Sequence, residues 1–230
     1  MSSSLGLERR WISPSMGYGV FTTRPFKKGE VVLVDRGRIL SRGDGAATAV
    51  GFWGGLSGRA GLIADHDDAF LKAAIAYFGG LMAWYEAADI GVAGEAVFEA
   101  VAEALARGGL RPALNPGHLT GHDEWIHTPV RKGSAERIAS GTPFQVDIIP
   151  TPLPTGWALN CEDGVVFAGD ALRAELGALP LAVAARIEAR RRFIRDELGI
   201  PIKDSILPLS STPLCLPPFW LAPGRLLAPA

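Results

Sequence analysis

"PFQVDIIPTPLPTGWALNCEDGVVFA", residues 143–168, is the stretch on which the reading of the fold turns. Phe144, Val146 and Ile148 alternate with Gln145, Asp147 and Ile149, the period of two that belongs to a strand. "WALNCEDGVVFA" reads as its partner, and "TPLPTG" as the hairpin loop between them. The midpoint between Asp147 and Glu162 falls between Pro154 and Thr155, inside that loop. Residues equidistant from the turn of an antiparallel pair stand opposite each other, so these two carboxylates are expected to face one another. They repel unless something positive lies between them. Three arrangements relieve the repulsion: a metal ion bridging both acids, a basic side chain such as Arg137, or a register shift that separates them. His118 upstream makes a one-histidine, two-carboxylate set available, suited by donor type to Mn, Fe, Co or Zn. A metal held there would lower the pKa of bound water and polarise a carbonyl, so hydrolysis is the natural chemistry.

Upstream of the hairpin, Phe70, Ala74, Phe78, Leu81, Met82 and Tyr85 recur at spacings of three and four, which predicts an amphipathic helix from Asp68. Gly79 and Gly80 interrupt it and mark a kink or a close helix contact. A second helix is expected around Gly94 to Arg107, with Val97, Phe98, Val101 and Leu105 on one face and Gly108-Gly109 as its stop. The two read as a packed pair. Nearer the start, "GYGVFTTRPFKKGEVVLVDRG" reads as two strands around a Lys-Lys-Gly-Glu turn. Beyond the hairpin, a helical region starts near Asp170 as N-cap, breaks around Gly177 to Pro180 and resumes with Val183, Ile187, Ile194 and Leu198 before Gly199. The tail, "LPLSSTPLCLPPFWLAPG", carries too many prolines for regular structure and is expected to wrap over the domain, burying Leu207, Leu214, Phe219 and Trp220. The order of elements is that of an α+β protein.

A net charge of -1 supplies no global field for nucleic acid or an anionic membrane, so neither is an expected partner. Cys161 and Cys215 stand far apart with no CxxC spacing, which suits a reducing compartment. Cys161 adjoins Glu162 and, by alternation, reads as a small core residue on the other strand face. No apolar run approaches the roughly 20 residues of a membrane span, and "MSSSLGLERRW" lacks the apolar core of a signal peptide. A soluble, compact, cytoplasmic protein is expected. In "EARRRFIRDELG", Arg190, Arg191, Arg192 and Arg195 are interleaved with Glu188, Asp196 and Glu197, the mark of a solvated helix face or partner contact. "DHDD" at residues 65–68 reads as helix-capping acids, and Ser210 and Ser211 lack the context of a serine nucleophile.

From about Gly43 to Pro229 the chain resembles the catalytic domain of the creatinase and Xaa-Pro aminopeptidase family of metallopeptidases. The resemblance lies in the order of its segments: "AAIAYFGGLMAWYEAADIG" and "GEAVFEAVAEAL", then "NPGHLTGHDEW", then "IASGTPFQVDIIP" and "NCEDGVVFA". It implies the pita-bread fold, shortened at its N-terminus, with residues 1–42 as an N-terminal strand segment and 43–230 as the metallopeptidase-like domain. It also implies His118 as the metal-binding histidine, Asp147 at a strand acid that is usually Glu, and Glu162 as an acid bridging two metal ions. A small peptide or amide substrate, of the Xaa-Pro kind, and a homodimer are what the same likeness implies.

The chain departs from the family at two places. Two-metal members carry an earlier aspartate pair; Asp35 in "VLVDRG" is a candidate for the first, but the position eleven later is Ala46. Anchoring on "SGRAG" instead, with Arg59 as the motif's arginine, puts Leu56 and Gly45 where the acids belong, and leaves Asp44 as a substitute only on a bulged strand. The family's second, substrate-contacting histidine is matched by Trp125, flanked by His122 and His127, which are either candidates for its role or exposed loop histidines. Two rival readings stand beside the hydrolase. One is a metal-free protein of the same fold, acting as a binding module or as a creatinase-type amidohydrolase leaning on His118. The other is a fragment of a SET-domain methyltransferase, since Trp11 to Leu40 also resembles the opening of that domain, whose Gly-X-Gly segment, here Gly17-Tyr18-Gly19, lies against S-adenosylmethionine.

Overall fold

The hairpin forms in the register that its loop midpoint dictates. Strand β9 (Pro143–Ile148) pairs antiparallel with β11 (Cys161–Phe167), and Asp147 stands opposite Glu162. The computed structural model describes residues 7–13, 17–22, 31–35, 38–41, 45–49, 54–59, 68–120, 127–154, 159, 161–178 and 180–209; before residue 71 and at residues 161 and 162 it describes the backbone alone. Ahead of the hairpin come β1 (Leu7–Ser13), β2 (Gly17–Thr22), β3 (Val31–Asp35), β4 (Arg38–Ser41), β5 (Gly45–Ala49), β6 (Gly54–Arg59), α1 (Asp68–Ala87), α2 (Gly94–Ala106), β7 (Arg111–Pro112) and β8 (His118–Leu119). Within and beyond it come β10 (Pro150–Thr151), α3 (Asp170–Leu176), α4 (Leu181–Arg192), which continues as a π-helical turn at Phe193–Glu197, and β12 (Ile206–Pro208). The fold is α+β: a sheet in the order β5-β6-β11-β9-β8, with β12 also on β11, and helices packed against it.

Alternation along β9 and β11 sorts their residues by face. Phe144, Val146, Ile148, Val165 and Phe167 are fully buried and share the core with Tyr77, Leu81, Trp84 and Tyr85 of α1. Trp84 is the hub, its ring 5.6 Å from that of Phe144 and 6.0 Å from that of Phe167. Val97, Val101 and Leu105 of α2 pack behind α1, as the helical spacing predicts. At Gly80 a Cβ would lie 2.9 Å from Leu105 Cδ2, so the Gly-Gly step is a close helix contact. The α2 C-terminus closes with Gly109 at a φ of 73° and Leu110 N–H donating to Leu105 O, a glycine stop of the predicted kind.

Three expectations are corrected. The strands flanking the Lys-Lys-Gly-Glu turn do form, but β2 pairs with β1 and β3 with β4 in separate two-stranded ladders, because each strand has a nearer partner across a shorter turn. The turn itself lies outside the described residues. The N-cap of α3 is Gly169, whose N–H donates to Ser140 Oγ; Asp170 is the first helical residue and accepts from Arg173 at 3.0 Å. The start of the proline-rich stretch is regular, since Ile206–Pro208 pairs with Val165–Phe167 of β11. Proline is tolerated there because β12 is an edge strand and needs no donor on its open side. Leu207 is buried as predicted. Leu214, Phe219, Trp220, Ser210, Ser211 and Cys215 lie outside the described residues.

Candidate metal centre

Three adjacent strands bring the candidate ligands to one face. β8 pairs with β9 so that His118 stands opposite Gln145, and Asp147, two residues along β9, stands opposite Glu162. Opposed residues share a face of a sheet, and so do residues i and i+2. His118, Gln145, Asp147 and the register position of Glu162 therefore lie on the face turned away from α1. Asp163 belongs to the α1 face, where its carboxylate is 3% exposed and accepts a hydrogen bond from Tyr85 O–H at 3.0 Å.

The approach to His118 is set by local chemistry. Trp84 Nε1–H donates to Pro116 O at 2.9 Å, anchoring the segment from the core. Gly117 follows at a φ of 104°, where a Cβ would lie 2.6 Å from Phe144 Cε1 and 2.8 Å from Gln145 O. Only glycine lets the backbone cross β9 that closely. Leu119 N–H then donates to His127 O at 2.7 Å, closing the loop whose interior holds His122, Glu124 and Trp125, all outside the described residues.

The His118 ring is 5% exposed, and its Nε2 stands 3.9 Å from Asp147 Oδ2. Its Nδ1 lies 3.1 Å from Leu119 O. A carbonyl oxygen only accepts, so Nδ1 donates to Leu119 O and Nε2 is the ring nitrogen turned toward the carboxylate. Both side chains are largely buried, 6% and 16% exposed, so the imidazole and the carboxylate face each other away from bulk water. The separation exceeds the roughly 2.7 to 2.9 Å of a charge-assisted hydrogen bond. It falls within the span, up to roughly 4 Å, of two donors each about 2.0 to 2.2 Å from one ion. A ligating histidine characteristically gives its other ring N–H to a carbonyl or carboxylate, as this one does.

The geometry closes one of the three ways of relieving the acid pair and removes Arg137 from a second. Register shift is excluded because Asp147 and Glu162 are directly opposed. Arg137 is spent elsewhere: its Nη1 donates to Gly91 O at 2.6 Å on the surface. The residue types at these positions, one imidazole and two carboxylates, match by donor chemistry what a divalent metal would take. Among the described residues no group of three or more His, Cys, Asp or Glu side chains converges; Glu162, the third member, is described by its backbone alone.

The other candidates stand in different places. Asp35 ends β3, in the ladder it forms with β4 and not in the large sheet; Asp44 lies outside the described residues. β6 does run beside β11, with Gly55 opposite Glu162 and Gly54 opposite Asp163, and β5 runs beside β6 with Gly45 opposite Arg59 and Thr48 opposite Leu56. The positions of these strands nearest the acids are glycines and alanines. His127 is half-exposed, its Nε2 donating to Glu136 Oε2 at 2.8 Å while Arg131 contacts Oε1 of the same carboxylate at 2.5 Å. Hydrogen bonds from His127 first and Arg131 next hold the Glu136 carboxyl below its ordinary pKa. Of the acids interleaved in the arginine-rich helix, Glu188 pairs with Arg191 at 3.6 Å and Asp196 with Arg195 at 2.7 Å, while Arg191 also reaches Asp204 beyond the helix. Not foreseen were Trp84, Tyr85 and Asp163, for which the available signal was strand alternation: it puts Asp163, a charge, on the core face.

No family model and no curated protein matches the chain. Solved structures that resemble it include dipeptidase PepE from Mycobacterium ulcerans, 20% identical with a TM-score of 0.45, covering 57% of this chain and 37% of that one. The prolidase from Pyrococcus horikoshii OT3 is 13% identical with a TM-score of 0.48, over 56% of this chain and 39% of its own. Methionine aminopeptidase from Rickettsia prowazekii is 14% identical with a TM-score of 0.42, over 58% and 64%. The chain thus spans less than two thirds of the length of each of these three proteins. No described helix is long and apolar enough to cross a membrane.

Proposed function

We propose that this chain is a metal-dependent hydrolase of the pita-bread type, acting on a small peptide or amide, with Xaa-Pro peptides as the substrate class. The observation that carries the reading is the acid pair Asp147 and Glu162, directly opposed in register, with the buried His118 Nε2 turned to Asp147 at 3.9 Å. His118, Asp147 and Glu162 would hold one divalent ion such as Mn, Co, Zn or Fe. When bound, such an ion supplies Lewis acidity toward a carbonyl and brings the pKa of water toward neutrality. The chain's own part is to hold that set in place: the Leu119 carbonyl accepts from His118 Nδ1, and the β9–β11 ladder fixes the backbone register of positions 147 and 162. His122, in the loop between Thr120 and His127, is the candidate to steady an oxyanion or a leaving amine, because the His127 ring is engaged by Glu136. A homodimer belongs to the same reading.

The glycines and alanines of β5 and β6 beside the acids favour one metal over two, and they also support a second reading, a metal-free binding module of the same fold. One experiment separates the two. The purified chain is analysed for bound Mn, Co, Zn and Fe and assayed on Xaa-Pro peptides with each metal added. Metal near one equivalent with metal-dependent turnover is the expected result. No bound metal and no turnover under any condition would leave the binding module as the account.

A further inference from the structure

We infer that Trp84 and Tyr85, consecutive residues of α1, are positioning residues that lock the two halves of the metal set to each other through the core. The inference rests on the metal-centre reading above. His118 and the acid pair come from segments far apart in sequence, and each has its own tie to the same two residues of the helix. Trp84 Nε1–H holds Pro116 O at 2.9 Å, two residues before His118, and the interposed Gly117 leaves that segment no slack against Phe144. Tyr85 O–H holds Asp163 Oδ2 at 3.0 Å, one residue after Glu162 on β11.

Both rings are completely buried and meet edge to face at 5.3 Å, so the two contacts are packed against each other in the core. Both ties are also long-range, spanning 32 and 78 residues of sequence. Alternation explains why the device works across the sheet. Asp163 takes the face toward α1 and the neighbouring position 162 takes the face of the site, so a clamp on one fixes the backbone of the other without entering the centre. A buried carboxylate on the core face is costly unless hydrogen-bonded. Apolar packing alone would put an aliphatic residue at position 163, so a tyrosine–aspartate contact there calls for a role beyond core filling.

The test measures Mn and Zn affinity by calorimetry for the wild-type chain, Tyr85→Phe, Trp84→Phe and a core control, Phe78→Leu, each alongside thermal unfolding without metal. Phe78 is buried on the same helix, and its side chain has no polar atom with which to hold either segment. Tyr85→Phe removes one oxygen and keeps the ring, so it decides the matter even where Trp84→Phe fails to fold. The expected result is metal binding weakened by about tenfold in Tyr85→Phe and in Trp84→Phe, the scale of losing an outer partner of a ligand, with Phe78→Leu binding as wild type while losing stability. Equal affinity in wild type and both clamp variants would overturn the inference and leave the metal centre standing. A wild-type chain that binds no metal would overturn the metal-centre reading, and the clamp with it.

Discussion

At the scale of single residues, the hydrogen-bond partner decides the part a side chain plays. His118 and His127 are the same residue type in one short segment, yet their surroundings assign them opposite parts. The first gives its Nδ1 proton to a backbone carbonyl inside the protein; the second gives its Nε2 proton to Glu136 at the surface. Glu136 is the group whose titration reports this. Its folded pKa lies below its ordinary value, so its contribution to stability is present above the unfolded pKa and is lost as pH falls through the folded one. The carboxyl, followed by NMR, should titrate below the usual glutamate range, and Glu136→Gln should remove that step from the acid limb of the stability profile. An ordinary midpoint would show that the pair with His127 does not persist in solution. As the group is exposed, the effect on stability is small.

At the scale of elements, register and close approach decide where the side chains go. The opposition of Asp147 and Glu162 was legible because a period-two pattern with a proline-bearing loop fixes one midpoint, and a slip by one residue would turn Phe144, Val146 and Ile148 out of the core. The helix pair was legible for the same kind of reason, a long three-and-four spacing with a glycine stop. Partner choice among β1 to β4 was not legible, because several strands of similar composition compete and nothing in Lys-Lys-Gly-Glu excludes the shorter turns. The Tyr85–Asp163 contact was hidden because alternation gives a face and never a partner. Loop docking was hidden too: the α2 N-terminus has no side-chain cap, and Gly94 and Glu95 N–H donate instead to Glu136 O and Ser134 O. That docking requires Gly94, where a Cβ would lie 1.8 Å from Pro129 O. Gly94→Ala should cost about 1 to 3 kcal/mol in chemical denaturation through forced displacement of the loop. An unchanged midpoint would contradict the docking.

At the scale of the whole molecule, the sheet separates two jobs. One face and α1 form an aromatic core around Trp84; the other carries His118, Gln145 and Asp147 and the position of Glu162. Two like charges opposed on that face are a local cost that the fold tolerates, and a bound cation would turn it into a gain. The most direct measurement is thermal unfolding of the wild-type chain and of Glu162→Gln, each with and without Mn or Zn. With metal at about 100 times its dissociation constant, the wild-type midpoint should rise by roughly 5 to 10 °C. Glu162→Gln should unfold at or slightly above the metal-free wild-type temperature, by up to about 1 kcal/mol of relieved repulsion, and should gain nothing from metal. A wild-type midpoint that ignores every metal, together with a Glu162→Gln variant less stable than wild type in its absence, would contradict the account.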